Sequence, residues 1–589
     1  MSGGLPLKKK LSENTLNRTT NGFKRYNIME NNTIKSTSSS DDNPDIDHDY
    51  LKLPMDLPSG RKSLLIDNEY ESSDESSQGQ IGNGDDSIDI AVKLTEDTDK
   101  NNNEDSNLRQ RVPTQPNLDN VKIPTTTSAK LVFKHVLSSK VKFSRNGEMR
   151  SNFNDLNFLP RETIFDREIH FGTKFYGFYV AIWIMIAFFG LNVLIGYHLD
   201  HGSIFGSEIM KLMLKDIWKV ALMDLGMYLS MYFAVIIQLA IKHKLIKWKY
   251  IGFTIASIYE ILLLILPLYY SDKLDFPWIA QIFIMLHSVV MLMKVHSYSF
   301  FNGYLWEIVN ELEFSTIFID KKDVLNDNIV IALKNSIEFC KFEIKSQDFP
   351  NNINFKNFFN YSMFPVLVYQ NEYPRNKRIR KSYLLSKILG IFGVILLMIT
   401  VAQYRIYPIV MKCLYLQKNE TFWFRLKNYP FILIEFIPPF LCIYLLVFYL
   451  IWELILNAIA ELSRFADREF YRYWWNSIDW NEYARDWNVP VHKFLLRHVY
   501  HSSISAFKVP KTLATFLTFF LSSIIHELSM YVIFKKIRFY LLLLQMSQLV
   551  LVQVSKTKWM KDKYILGNCI FWFGIVFGPS LMCTMYLVF

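Results

Sequence analysis

Residues 464–527 read RFADREFYRYWWNSIDWNEYARDWNVPVHKFLLRHVYHSSISAFKVPKTLATFLTFFLSSIIHE. A charged, aromatic segment follows one apolar run and leads into a second. Inside that second run stands an ionisable pair, His526-Glu527. A charged imidazole well inside a spanning helix costs on the order of a few kcal/mol, so it implies a polar cavity or a chemical role. The plainer alternative is a packing histidine bonded to a neighbouring carbonyl. The segment before it carries Phe470, Tyr471, Tyr473, Trp474, Trp475, Trp480, Tyr483 and Trp487 among Arg468, Arg472, Arg485, His492, Lys493, Arg497 and His498. Tyr and Trp favour the membrane–water boundary because one end of each ring is apolar and the other hydrogen-bonds. Basic residues beside them suit an anionic ligand with a flat ring and an apolar tail. A plain interfacial helix shows the same composition.

Outward from this stretch the chain is dominated by apolar runs. Half of its 589 residues are hydrophobic, and nine runs fall near 175–197, 217–241, 251–270, 279–298, 384–404, 429–460, 512–534, 537–554 and 564–588. A hydrocarbon core of roughly 30 Å needs about 20 helical residues, which most of these supply. The eighth is marginal, and the sixth contains Pro438-Pro439, which remove two amide donors and predict a kink. The fold class is therefore an all-α polytopic membrane protein with about nine transmembrane helices over residues 161–589. Residues 1–160 differ in kind. Runs such as NNTIKSTSSSDDNPDIDHD and ESSDESSQGQIGNGDD bury too little apolar surface to offset their ordering entropy, so a disordered tail is expected there. LVFKHVLSSKVKF, with Lys134, Lys140 and Lys142, reads as a short surface helix or a linker. No removable signal peptide is expected.

Lys and Arg concentrate after the second, fourth, sixth and eighth runs, as at Lys242, Lys244, Lys247 and Lys249 or at Arg375, Lys377, Arg378, Arg380 and Lys381. That bias places the amino terminus and residues 464–511 in the cytosol and the carboxyl terminus in the lumen. The formal charge of +10 accordingly reads as topology and not as nucleic-acid binding. Cys340, Cys413, Cys442, Cys569 and Cys583 have no paired spacing for a disulfide framework or a zinc set.

His526-Glu527 opens like a zinc-protease HExxH, but Met530 stands where the second His belongs, so no metal is expected. No serine nucleophile elbow or Gly-rich phosphate loop is present. Helical spacing puts Phe519, Ser522, Ser523, Ser529 and Met530 on the face of His526, a polar notch in an apolar helix. A neutral imidazole there can take a proton from a hydroxyl as its oxygen attacks a carbonyl. Asp224, Glu260, Glu435, Glu453, His287 and His296 also lie in or beside apolar runs, where such residues usually pair with one another inside the bundle.

Phe470-Tyr471-Arg472-Tyr473-Trp474-Trp475-Asn476, with His526 in a downstream apolar helix, resembles the FYxDWWN motif and invariant His of membrane-bound O-acyltransferases. Within them the chain most resembles the fungal sterol O-acyltransferases. MKVHSYSFFNGYLW (293–306), FPVLVYQNEYPR (364–375) and WNVPVHKFLLRHVYHSS (487–503) agree in order, over roughly the last two-thirds of the chain. One position departs: the motif's Asp is Tyr473. The resemblance implies the helical acyltransferase bundle, commonly a dimer or homotetramer, in the endoplasmic reticulum membrane. It implies transfer of an acyl group from acyl-CoA to a sterol from the bilayer, with His526 as general base and Asn476 at the oxyanion. Phe470, Tyr471, Arg472, Trp474, Trp475, His492, Lys493, Arg497, His498 and Ser522 become the expected acyl-CoA and tunnel contacts. No cofactor or metal is needed, because the thioester supplies the driving force. The same chemistry on diacylglycerol is the near alternative. A transporter or sterol-binding scaffold is the distant one, and no matched pair of broken helices favours transport.

Overall fold

The structure is a computed structural model and describes Leu156 and residues 158–168, 173–174, 176–202, 207–319, 327–560 and 563–589. The tail expected over 1–160 and the Lys-bearing stretch within it lie outside these residues, apart from Leu156 and 158–160. Among the described residues eight helices are long and apolar enough to cross a membrane. They are α2 (Tyr176–Leu199), α3 (Ile217–Lys242), α4 (Trp248–Lys273), α5 (Trp278–Ile319), α8 (Lys381–Asn419), α9 (Phe422–Ser463), α12 (Lys511–Phe534) and α14 (Tyr564–Val588). Shorter helices include α1 (Ile164–Glu168), α6 (Asp327–Ser346), α7 (Phe355–Met363), α10 (Trp480–Asp486), α11 (Val489–Leu495) and α13 (Tyr540–Ser555), and short helical turns also stand at Glu208–Leu214 and Ser502–Phe507. The marginal eighth run is α13. Its 16 residues span about 24 Å, less than the roughly 30 Å hydrocarbon core.

Several expected spans are longer than a membrane requires. α5 has 42 residues, and its second half continues past the apolar run to pair with α6. Phe314 and Phe318 pack on Ile329 and Leu333 there, and Ile308 packs on Phe339. α9 keeps α-helical geometry through Pro438-Pro439 and departs from it later, in a π-helical turn at Tyr449–Ile455. That turn carries Glu453 at the core. Side-chain caps start the helices around the motif: Asp479 accepts from the Asn481 and Glu482 amides at α10, and Asn488 from Val491 at α11.

The connectors sort onto two faces. Lys535 meets Asp272 at 2.8 Å, joining the turn after α12 to the end of α4. Arg425 donates to the Val588 carbonyl, so the start of α9 and the end of α14 share that face. Lys242 donates to the Pro350 carbonyl on the opposite face.

On that opposite face residues 158–168 form a strap. Arg161 exchanges backbone hydrogen bonds with Ala466 and Arg468. Thr163 donates to Glu453 at 2.7 Å, and Tyr383 donates to Asp166 at 2.6 Å. All six intramembrane ionisables singled out in the sequence are paired: Asp224 with His287, Glu260 with His296, Glu435 with Lys412 and Glu453 with Lys387. Two lysines of the apolar runs complete the polar interior. Lys387 serves Glu453, and Lys294 donates to the carbonyls of Tyr361, Ser362 and Phe364 at the end of α7.

Candidate active site

α12 places His526 eight residues before its last residue, Phe534. More than a third of the imidazole's surface is open to a water-sized probe. An accessible imidazole is what a proton-accepting side chain requires. Nδ1 lies 2.8 Å from the Ser522 carbonyl oxygen. A carbonyl only accepts, so this bond keeps the proton on Nδ1 and leaves the Nε2 lone pair as the ring's basic atom. The carbonyl bond of the plainer sequence reading is therefore present, but the close packing it assumed is not. Ser522 contributes through its backbone. Ser523 and Ser529 bond back to the Phe519 and Ile525 carbonyls, so neither hydroxyl is an activated nucleophile.

Glu527 has a structural task. It is 5% exposed. One carboxylate oxygen accepts from the Phe539 amide at 2.8 Å and the Tyr586 hydroxyl at 2.5 Å, and the other accepts from the Leu542 amide at 3.1 Å. It thus caps the first turn of α13 from a neighbouring helix and ties α14 to both. Phe539 sits at φ 59, a conformation costly for a bulky side chain, and the bond to Glu527 helps hold it there. The residue beside His526 is in effect the clamp of the three-helix corner that carries it. The sequence offered only a truncated HExxH at this point.

The FYRYWWN turn lies elsewhere. Phe470, Tyr471 and Trp474 are each 2% exposed and belong to the main core, with the Trp474 ring 4.7 Å from Trp487 and 5.1 Å from Phe448. The Tyr471 hydroxyl donates to Glu453 at 2.7 Å. The Trp475 carbonyl accepts from Asn568 and Trp572, and the Ser477 carbonyl from Asn568. Gly574 admits the Trp480 ring so closely that a Cβ there would stand 2.4 Å from it. The turn is therefore docked on residues 568–574 of α14, whereas Glu527 reaches Tyr586. Trp572 and Tyr586 are fourteen residues apart, about 21 Å along the axis. Among the described residues no hydrogen bond joins Asn476 to His526. Asn476 is exposed at the end of its 3-10 turn.

The expected basic contacts are largely committed to carboxylates. Arg472 meets Glu469 and Asp486, and Arg161 also contacts Glu469. Burial alone would raise the Glu469 carboxyl, but Arg472 and Arg161 outweigh it and hold it below the usual range. Lys493 lies 3.8 Å from Asp467 and over the Phe158 ring, and burial lowers its pKa despite those acids. Burial, then Arg472 and Arg485, push His492 down to about 4. His498 is driven well below its ordinary range by burial, His296 and Arg497, and its Nε2 is 2.9 Å from the Ser297 hydroxyl. Arg497 is buried. Tyr473, in place of the motif Asp, receives a bond from Arg167 and donates to Glu168 at 2.9 Å. It therefore holds the strap. Sequence reasoning missed Lys294, Lys387 and the strap; the signal for both lysines was a cation inside an apolar helix.

A many-helix membrane bundle whose α12 carries an accessible, tautomer-fixed imidazole defines a class of intramembrane proteins built around a histidine. The chain belongs to the membrane-bound O-acyltransferase family, whose model matches residues 193–588. It is 51% identical over 430 residues to sterol O-acyltransferase 2 of Saccharomyces cerevisiae, covering 71% of this chain and 67% of that one. It is 41% identical over 613 residues to sterol O-acyltransferase 2 of Candida albicans, covering 92% and 99%. Diacylglycerol O-acyltransferase 1 of Corylus americana is more distant, 29% identical over 355 residues, covering 58% and 59%.

Proposed function

We propose that this protein is an acyl-CoA:sterol O-acyltransferase of the endoplasmic reticulum membrane, working as a dimer or higher oligomer with residues 464–511 facing the cytosol. The observation that carries the chemistry is the Nδ1–Ser522 carbonyl bond, which leaves Nε2 of His526 as an accessible base. Nε2 takes the proton of the sterol 3-hydroxyl as its oxygen attacks the thioester carbonyl. The tetrahedral intermediate then expels the CoA thiolate, which regains the proton from the imidazolium. Ester and CoA thiol leave, and the scheme needs no metal or cofactor.

The acyl-CoA head group meets the rim of the 472–492 segment, where Asn476 and Arg485 are exposed and Arg472, Trp475 and His492 are half-buried. Asn476 belongs with these head-group contacts, because it is exposed at the end of its turn. Phe470, Tyr471 and Trp474 act by packing that rim. Lys493 supports it through Asp467 and His498 through Ser297, with Arg497 buried between them in the chain. Choosing a sterol over diacylglycerol rests on the greater similarity to the sterol O-acyltransferases. The test is an assay of purified protein with labelled oleoyl-CoA and either acceptor. Steryl ester as the dominant product supports the reading, and triacylglycerol or no ester contradicts it.

A further inference from the structure

Asp224 on α3 and His287 on α5 meet through a carboxylate–imidazole hydrogen bond between Oδ1 and Nδ1, apart from the site above. Their side chains stay 25% and 36% exposed, although both helices are apolar spans. Ionisable groups in a hydrocarbon layer normally turn fully inward, so a half-exposed pair marks a place where something polar is met. Its depth says what. The Lys535–Asp272 contact puts the end of α12 and the end of α4 on one face, and α5 starts a few residues beyond α4. From that face His526 lies about 12 Å deep, His287 about 13 Å and Asp224 about 10 Å, counted along their helices. α5 packs against both α3 and α12, and the pair and the His526 imidazole lie at similar depths counted along their helices. The surroundings suit a rigid apolar body. Leu225, Phe283 and Leu286 are exposed beside the pair, and a Cβ on Gly226 would meet nothing within 4 Å.

We propose that Asp224 and His287 recognise the hydroxyl of the membrane-dissolved alcohol acceptor as it moves laterally toward His526. This inference rests on the acyltransferase reading and adds the acceptor's route and a specificity pair. An alcohol's hydroxyl rests at the membrane surface and loses its water partners on descending to the level of His526. The Asp224 carboxylate accepts a hydrogen bond from that hydroxyl while the His287 ring holds the carboxylate in place. The pair makes no bond to the thioester and takes no proton in the reaction.

The test is steady-state kinetics of the full chain in sterol-containing mixed micelles, for wild type, Asp224→Asn, Asp224→Ala and His287→Gln. Asp224→Ala raises the sterol KM at least about tenfold, the loss expected of a hydrogen bond to a charged group, and Asp224→Asn raises it less. The acyl-CoA KM, and kcat at saturating sterol, stay within about twofold. An unchanged sterol KM, or a rise in both KM values together, overturns the proposal. Because a variant can fail to fold, wild-type protein is also labelled with a photoreactive sterol. Adducts within 217–230 or 278–292 that excess sterol competes away support the pair, and adducts confined to other helices overturn it. A parallel arm with diacylglycerol tells which alcohol the pair serves. Wild type that esterifies no sterol defeats the functional reading, whereas an active wild type with unaltered variant KM values defeats only this pair.

Discussion

Tyr473 shows how one residue can leave a motif without emptying its position. Its hydroxyl takes a bond from Arg167 and gives one to Glu168, so it fastens α1 to the FYRYWWN turn. Tyr473→Phe removes both bonds at an exposed site and should lower activity a few-fold, in keeping with roughly 1 kcal/mol or less for exposed polar contacts. Tyr473→Asp can still pair with Arg167 and should retain more activity than Tyr473→Phe. Turnover raised several-fold by the Asp variant, with the Phe variant unchanged, would show the tyrosine to be a defect. His492 offers a second test. Its pKa is lowered from the ordinary 6.5 to about 4 by burial and by Arg472 and Arg485. The unfolded chain therefore binds a proton below about pH 6.5 that the native chain refuses until about pH 4. The stabilisation is complete above pH 6.5 and is lost as pH falls across that window. Thermal midpoints in detergent should fall more steeply between about pH 7 and 5 for wild type than for His492→Gln; equal slopes would contradict the burial of this ring. Residue identity announced His526, because an imidazole in an apolar run is rare. It did not announce that Arg472 and Lys493 are spent on acids: Glu469 stands three residues before Arg472 but outside any helix, and Asp467 is 26 residues from Lys493.

At the scale of elements the site is a corner where α12, α13 and α14 meet around Glu527. Glu527→Ala leaves the Phe539 and Leu542 amides and the Tyr586 hydroxyl without their acceptor, at about 1–3 kcal/mol for each group that stays buried. Differential scanning calorimetry of the purified protein should show a lower Tm, and kcat should fall because His526 loses its fixed position. An unchanged Tm would mean that the corner is held by something else. The spans themselves were legible: the sequence marks of α2, α3, α4, α12 and α14 lie within a few residues of their observed bounds. The α5–α6 pair was not legible, because its polar face hides the small apolar stripe that docks Phe314 and Phe318. The docking of the Trp475 turn on α14 was also unreadable. It depends on Asn568, Trp572 and Gly574, almost a hundred residues away.

For the molecule as a whole, the Lys and Arg bias predicted alternating connectors. The contacts Lys535–Asp272, Arg425–Val588 and Lys242–Pro350 join the connectors as that alternation requires. Which face meets the cytosol is tested by fusing a glycosylation tag after residue 589. The tag should be modified in microsomes, whereas the Asn360-Tyr361-Ser362 sequon should carry no glycan; a glycan on Asn360 would invert the orientation. The paired interior was anticipated in kind, since isolated charges do not persist in a bilayer, but its wiring through Lys387, Thr163 and Tyr471 needed the fold. The account as a whole turns on Nε2 of His526. The most direct measurement is the rate of oleoyl transfer from oleoyl-CoA to sterol by purified His526→Ala against wild type at matched oligomeric state. The account predicts a loss of about 10²–10⁴-fold, the usual contribution of a general base. A purified variant within a few-fold of wild type would contradict it.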